Sequence, residues 1–195
     1  MYGPGEEQYT TRLAGEVGRL VTASRGRAFV LCTSTRRMNQ LFEALSPVLN
    51  YPCTCQGQGL SRQELLDLFK ASGEAVLFAT KSFWEGVDVP GAALSLVILD
   101  KIPFVPYKDP VFVRQQRLIR ERGGDPFEEL QLANAILTLR QGAGRLIRSE
   151  TDRGVIAILD SRINTAKYGA RIVRSLPDAR RVLRFEDVQH FFADQ

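Results

Sequence analysis

Four short runs in this chain are apolar almost without a break: AFVLC at 28–32, AVLFAT at 75–80, LSLVILD at 94–100 and GVIAILD at 154–160. A strand with one wet face alternates polar and apolar residues. These runs do not, so both of their faces must be covered, which is what a parallel sheet between two layers of helices requires. Helix-patterned stretches fill the intervals. Glu6 to Ser24 places Leu13, Val17, Leu20 and Val21 on one side, and Met38 to Leu45 resumes that spacing until Pro47 stops it. Ser61 with Glu64 three residues on is a capping box that opens a helix to Ala71. Further helices are expected at Val111 to Arg122, Phe127 to Ile147, Thr165 to Ser175 and the C-terminus. A weak extended piece at Pro52 to Gln56 and a short strand near Arg181 to Phe185 complete the pattern. The expectation is one α/β domain with a mainly parallel sheet of about five or six strands.

Composition narrows the setting. At 195 residues the chain is long enough for one domain with a real core, and its 44% hydrophobic and 25% charged content is that of a globular protein. No apolar run approaches the roughly 20 residues that span a bilayer, and MYGPGEEQYTTR lacks a signal-peptide pattern, so no membrane and a cytoplasmic location are expected. Cys32, Cys53 and Cys55 are an odd set with a single histidine, His190, so free thiols and no metal site are expected. The net charge of +4 is mild support for a polyanionic partner. Only five basic residues are lysine (70, 81, 101, 108 and 167); the other 21 of the 26 are arginine. Arginine suits bidentate phosphate contacts, but GC-rich codons give the same bias, so charge alone decides nothing.

Three segments carry candidate chemistry. In QGAGRLIR, 141–148, helical spacing places Gln141, Arg145 and Arg148 on one face, an anion site of two guanidinium groups and one amide. Gly142 and Gly144 each cost about 1 kcal/mol against alanine in a helix, so something comes close there. The bland reading is a solvated arginine face, yet acidic partners one turn away are missing. In FWEGVDVPG, 83–91, Phe83 and Trp84 serve core packing at least as well as ligand contact. Glu85 and Asp88, acidic groups beside aromatics around Gly86, need a partner. In Thr33-Ser34-Thr35, hydroxyls and free N–H groups at a strand end can hold a phosphate, or Ser34 or Thr35 can simply cap the next helix.

The strings VLCTST (30–35), ATKSFWEGVDVPG (79–91), PFVPYKDP (103–110) and QGAGRLIR…DRGVIAILDSR (141–162), in this order, resemble the second RecA-like domain of the DinG/XPD branch of superfamily 2 helicases, its motifs IV, V and VI. GRLIRS and the PFxxP loop resemble bacterial DinG more than eukaryotic XPD. The resemblance implies a RecA-like three-layer α/β/α fold over residues 1–195, with the first motor domain absent from the chain. It implies a part in a 5′-to-3′ ATP-dependent DNA helicase with a link to DNA repair. Arg145 and Arg148 then stand as arginine fingers, with Gln141, Asp88, Gly86 and Glu85 on the nucleotide side. Ser34, Thr35 and Thr80 would hold single-stranded DNA. ATP and Mg²⁺ would be shared with the first RecA-like domain, and any iron–sulfur cluster would lie outside this chain. The sequence has no G-x-x-x-x-G-K-S/T phosphate loop and no acidic D-E-x-H box, so the chain alone is expected to be inactive. The alternatives are the C-terminal half of a DinG-like nuclease and a non-enzymatic nucleic-acid-binding module.

Overall fold

Five strands lie side by side, all parallel, in the order β2-β3-β1-β4-β5. They are β1 (Ala28–Cys32), β2 (Cys53–Cys55), β3 (Val76–Thr80), β4 (Leu96–Leu99) and β5 (Val155–Ile158). The computed structural model describes residues 4–80, 83, 89, 93–106, 109–147, 152–176 and 179–194, with the backbone alone at 4, 5, 144 and 145. The inner strands β1, β3 and β4 are buried from end to end except at Thr80, whereas edge strand β5 is half-buried throughout. Ala28 is in register with both Val76 and Leu96, and Leu96 with Val155, so these four strands start level at the amino edge.

Because side chains alternate along a strand, the apolar runs feed two separate cores. On one face α1 (Pro4–Ala23), α2 (Thr35–Leu45) and α8 (Phe185–Ala193) bury Leu13, Val17, Met38, Leu41 and Phe192 against Val30, Phe78 and Ile98. On the other, α3 (Arg62–Ser72), α5 (Ala133–Leu146) and α7 (Gly169–Ser175) bring Leu65, Phe69, Leu139 and Ile172 onto Phe29, Leu31, Leu77 and Val97. The Phe29 and Phe69 rings sit 4.7 Å apart. Each side chain of that size, fully buried, contributes about 1.5–3 kcal/mol. At the amino edge the chain turns sharply from α1 into β1. Gly26 has φ 72°, and a Cβ there would lie 1.9 Å from the Glu74 carbonyl oxygen, so only glycine fits.

The local signals in the sequence explain most boundaries. The Ser61–Glu64 capping box forms as expected, with Gly73 closing α3 at φ 71°. Asp109 caps α4 (Pro110–Glu121) by accepting from the Phe112 N–H at 2.8 Å, and Pro110 fills the first turn.

Three expectations need correction. The long helix expected from Phe127 to Ile147 begins with a π-helical turn, Phe127–Leu132, and ends as a helix at Leu146, where Ile147 is extended. The Gln131 side chain explains the wide turn's place: its amide both accepts from the Val105 N–H (3.0 Å) and donates to the Val105 carbonyl (2.9 Å), tying the PFVP loop down. The helix expected at Thr165 to Ser175 is two pieces, α6 (Arg162–Thr165) and α7, broken at Ala166. Gly169 packs so tightly that a Cβ would meet the Ile163 carbonyl oxygen at 2.2 Å. No strand forms near Arg181 to Phe185. Residues 179–184 are irregular, and Phe185 already starts α8. Val182 joins the core while Leu183 is 75% exposed, so a stretch with three arginines offers too little apolar surface to extend a sheet.

Candidate functional site

A strand buried on both faces has to end somewhere, and its last backbone groups must still find partners. At the carboxyl edge of this sheet a neighbouring side chain supplies them. The Asp100 N–H donates to the Leu31 carbonyl at 3.2 Å, so a continuing ladder would next offer Thr33 the backbone carbonyl of Asp100. The Asp100 carboxylate takes that place, accepting the Thr33 N–H at 2.9 Å and the Thr33 hydroxyl at 3.2 Å. The same substitution occurs two strands away. Gln56, just past β2, accepts both the Thr80 N–H (2.9 Å) and the Thr80 hydroxyl (3.0 Å) with its side-chain oxygen. At the end of β5, Asp160 accepts the Ile102 N–H at 3.0 Å and the Arg162 N–H at 3.0 Å. It also pairs with the Arg162 guanidinium through Nε at 2.9 Å and Nη2 at 2.6 Å.

These links fix the loops that leave the sheet. Burial pushes the Asp100 carboxyl up, and the hydrogen bonds from Thr33 and the nearby Lys101 and Arg37 only partly offset it. For Asp160 burial also pushes upward, but the hydrogen bonds from Arg162 and Ile102 win and hold its carboxyl below the usual range. Arg162 lies over the Phe104 ring at 5.4 Å, and Phe104 packs with Phe127 and Tyr168. The PFVP loop is therefore anchored at Ile102, Phe104 and Val105. The cysteines are free thiols, and burial pushes Cys53 and Cys55 to about 11, leaving them protonated at neutral pH.

The sequence-derived candidates among the described residues divide between the two edges of the sheet. Ser34 is the N-cap of α2, its hydroxyl accepting the Arg37 N–H at 3.3 Å, so the capping reading holds; Ser34 and Thr35 both remain exposed. Thr80 is half-buried at the carboxyl edge. Gln141 is exposed on α5 and Gly142 is buried. Arg145 follows one turn later on the same helix, and α5 runs down to the opposite, amino edge. There a Cβ on Gly154, just before β5, would sit 2.8 Å from the Leu146 side chain. Since α5 ends at Leu146, the shared helical face reaches only Gln141 and Arg145. Arg148, Glu85, Gly86, Asp88 and Trp84 lie outside the described residues. Phe83 is 3% exposed in the core, where packing was one of its two readings. The chain leaves β3 at the carboxyl edge at Thr80 and returns at the amino edge at Ser95, whose N–H bonds to the Arg27 carbonyl. Gln56, Asp100 and Arg62 are not among the candidates that the sequence motifs point to. An aspartate closing an apolar run was the available signal for Asp100, since such a group must find donors.

A family model described as "Helicase C-terminal domain" matches residues 17–179. The chain belongs to the helicase C-terminal domain family. Within it, the relatives that the chain resembles in sequence are named DinG and YoaA. The chain is 45% identical over 182 residues to the "ATP-dependent DNA helicase YoaA" of Escherichia coli strain K12, covering 93% of this chain and 28% of that protein. It is 45% identical over 162 residues to the "ATP-dependent helicase DinG" of Mycobacterium tuberculosis strain H37Rv, covering 83% of this chain and 24% of that one. The "3'-5' exonuclease DinG" of Bacillus subtilis strain 168 is 35% identical over 177 residues, 89% of this chain and 19% of that protein. The chain thus spans well under a third of the relatives it matches. Among solved structures, one titled "XPD_Helicase" superposes with a TM-score of 0.67 at 18% identity, over 89% of this chain and 32% of that one. The helicase domain's RecA-like α/β fold is therefore the fold seen here. No helix among the described residues is long and apolar enough to cross a membrane.

Proposed function

We propose that this family member is the second motor domain of an ATP-dependent DNA helicase of the DinG/XPD kind. It would work against a first RecA-like domain elsewhere in a longer protein. One observation carries the reading: candidates for a DNA strand sit at the carboxyl edge, while the helix bearing Gln141 and Arg145 runs to the other edge. One domain can then touch a nucleic acid and a nucleotide with different edges, which a motor needs and a simple binding module does not.

In this reading Ser34, Thr35 and Thr80 hold the phosphates of single-stranded DNA. The exposed first turn of α2 offers backbone N–H groups that favour an anion. Thr80 gives its hydroxyl proton to Gln56, so its part is to fix the loop's backbone. Arg145 and Arg148 act as arginine fingers, and Gln141, with Glu85, Gly86 and Asp88, completes this domain's wall of the nucleotide site. The exposed Gln141, with Arg145 one turn on, fits such a wall. The chain has no phosphate loop or acidic metal box, so ATP and Mg²⁺ would be held chiefly by the first domain, and an iron–sulfur cluster, if the longer protein has one, would be held there too. ATP supplies a phosphoanhydride to be cleaved, and the two guanidinium groups stabilise charge that develops there. Closing of the two domains over the nucleotide and reopening would drive 5′-to-3′ travel.

The test compares ATP turnover by this chain alone with turnover when it is joined to the first motor domain. The expected result is none alone and DNA-stimulated turnover when joined. Arg145→Ala or Arg148→Ala in the joined protein should then lower turnover by about 10³ to 10⁵, the range for arginine fingers. Substantial turnover by the chain alone, or tolerance of both alanines, would overturn the reading. The Bacillus subtilis relative supports one second reading, that of a nucleotide-controlled half of a nuclease. DNA cleavage by the joined protein, dependent on a further nuclease domain, would favour it.

A further inference from the structure

The elbow between β2 and α3, Gln56-Gly57-Gln58-Gly59-Leu60-Ser61-Arg62, enters the function proposed above only as the acceptor of the Thr80 hydroxyl, yet it grips the chain twice. The ladder explains the first grip. The Val76 N–H bonds to the Pro52 carbonyl and the Gln56 N–H to the Phe78 carbonyl, so Thr80 should next receive the Gln56 carbonyl. Instead β2 turns away at Gly57, φ 89°, and the Gln56 side-chain oxygen accepts both the N–H and the hydroxyl of Thr80. The second grip comes from the other end of the elbow. Arg62, the first residue of α3, donates through Nη2 to the Phe83 carbonyl at 2.8 Å, and its guanidinium lies 5.3 Å from the centre of the Phe83 ring. Phe83 is itself buried in the core.

The elbow is rigid enough for this work. The capping box at Ser61 satisfies the start of α3, with Ser61 N–H to Glu64 at 2.8 Å and Glu64 N–H to the Ser61 hydroxyl at 3.3 Å. Leu65, Leu66 and Phe69 root the helix in the core. The chain is therefore held at Thr80 and again at Phe83, immediately before Glu85, Gly86 and Asp88 in sequence.

We propose that Gln56 and Arg62 are positioning residues: Gln56 sets Thr80 for its place on DNA, and Arg62 fixes the chain at Phe83, the described residue from which the nucleotide-side candidates follow in sequence. This rests on the function proposed above. Neither residue touches substrate; each acts through the backbone it holds. The elbow thereby ties the chain at Thr80 and at Phe83 to the start of α3.

The test uses the longer protein that carries this chain and a single-stranded oligonucleotide as the probe. ATP turnover is measured against oligonucleotide concentration, with amide hydrogen exchange of residues 78–83 followed in parallel. Gln56→Met keeps the shape and removes the acceptor. It is expected to raise the half-stimulating oligonucleotide concentration about tenfold, the scale of one lost hydrogen bond, while kcat changes less than about twofold. Arg62→Met is expected to lower kcat about tenfold, and Arg62→Lys, which keeps a donor, to recover most of it. Exchange at the Thr80 amide should rise in Gln56→Met and not in Arg62→Lys. The proposal is overturned if both Met variants match the parent. It is equally overturned if their losses merely track the unfolded fraction in a thermal melt, leaving half-stimulation unchanged. Absence of DNA-stimulated turnover in the parent would sink the function itself. Even then, unchanged Thr80 exchange in Gln56→Met would refute the positioning role, and faster exchange would support it.

Discussion

Strands β4 and β5 run out through the same tripeptide, Ile98-Leu99-Asp100 and Ile158-Leu159-Asp160, and the two carboxylates meet different neighbours. Asp100, 1% exposed, faces the Thr33 turn, whose N–H and hydroxyl are its hydrogen-bond donors, so burial dominates and its carboxyl is pushed up. Asp160, 7% exposed, faces Arg162 in a bidentate pair and two backbone N–H groups, and its carboxyl is held down. Both tether a loop to the strand ends. One does so as an acceptor that its surroundings disfavour as a charge, the other as half of an ion pair. The same tripeptide thus leads to a carboxyl that is pushed up and one that is held down: Asp160 has Arg162 two residues on to pair with, while the donors to Asp100 are the N–H and hydroxyl of Thr33 on the neighbouring strand.

The sharpest break in this comparison comes from removing each carboxylate. Asp160→Ala should cost about 3 kcal/mol of stability in urea unfolding. That is the low end for breaking a buried pair, because the Arg162 side chain is 45% exposed and can rehydrate. Asp100→Ala should cost about 2 kcal/mol, from the half-buried Thr33 donors left without an acceptor. Asparagine separates charge from shape. Asp160→Asn should cost about 1–2 kcal/mol since the ion pair is lost, while Asp100→Asn should cost less than about 1 kcal/mol because an amide oxygen still accepts the Thr33 N–H. Equal costs for the two asparagine variants would erase the distinction drawn here. Arg162→Lys, which loses the fork and the stacking over Phe104, should cost about 1 kcal/mol or less in the same assay.

Acid titration gives the smallest effect and the one with a sign. A group whose folded pKa is lowered, as for Asp160, contributes stability that is complete above the unfolded aspartate value of about 3.9 and fades as pH falls through the folded value. A group whose folded pKa is raised, as for Asp100, binds its proton more tightly when folded. Lowering pH from above its folded pKa toward about 3.9 therefore adds stability. Urea midpoints across acidic pH should show Asp160→Asn flattening the loss at the low end and Asp100→Asn removing a gain just above it. Two variants with the same pH dependence as the parent would contradict both assignments.

Much of the fold was readable because its signals are local and repeated. The unbroken apolar runs demanded a sheet covered on both faces, and the capping box at Ser61 marked the start of α3. The expected strand near Arg181 failed because two apolar residues among arginines resemble an edge strand, and only the packing of Val182 shows that none is needed. The candidate site was legible as three motifs, since arginines and acids clustered around glycines stand out in any sequence. Their supports were not. Gln56 sits 24 residues before Thr80 and Asp100 sits 67 after Thr33, separations that carry no periodicity to read.

What the sequence by itself determined, then, is the parallel layered architecture, the helix caps and the family, because each depends on residues close together or on a string of motifs in order. Tertiary structure alone decided which strand lies beside which, and with it that the Gln56 and Asp100 side chains continue ladders their own backbones leave unfinished. It also decided that Asp100 is buried against Thr33, where burial outweighs its donors and pushes the carboxyl up. The physical reason is that hydrogen bonds and Coulomb terms act over a few ångströms, and which groups come that close is set by strand order, which no single segment encodes.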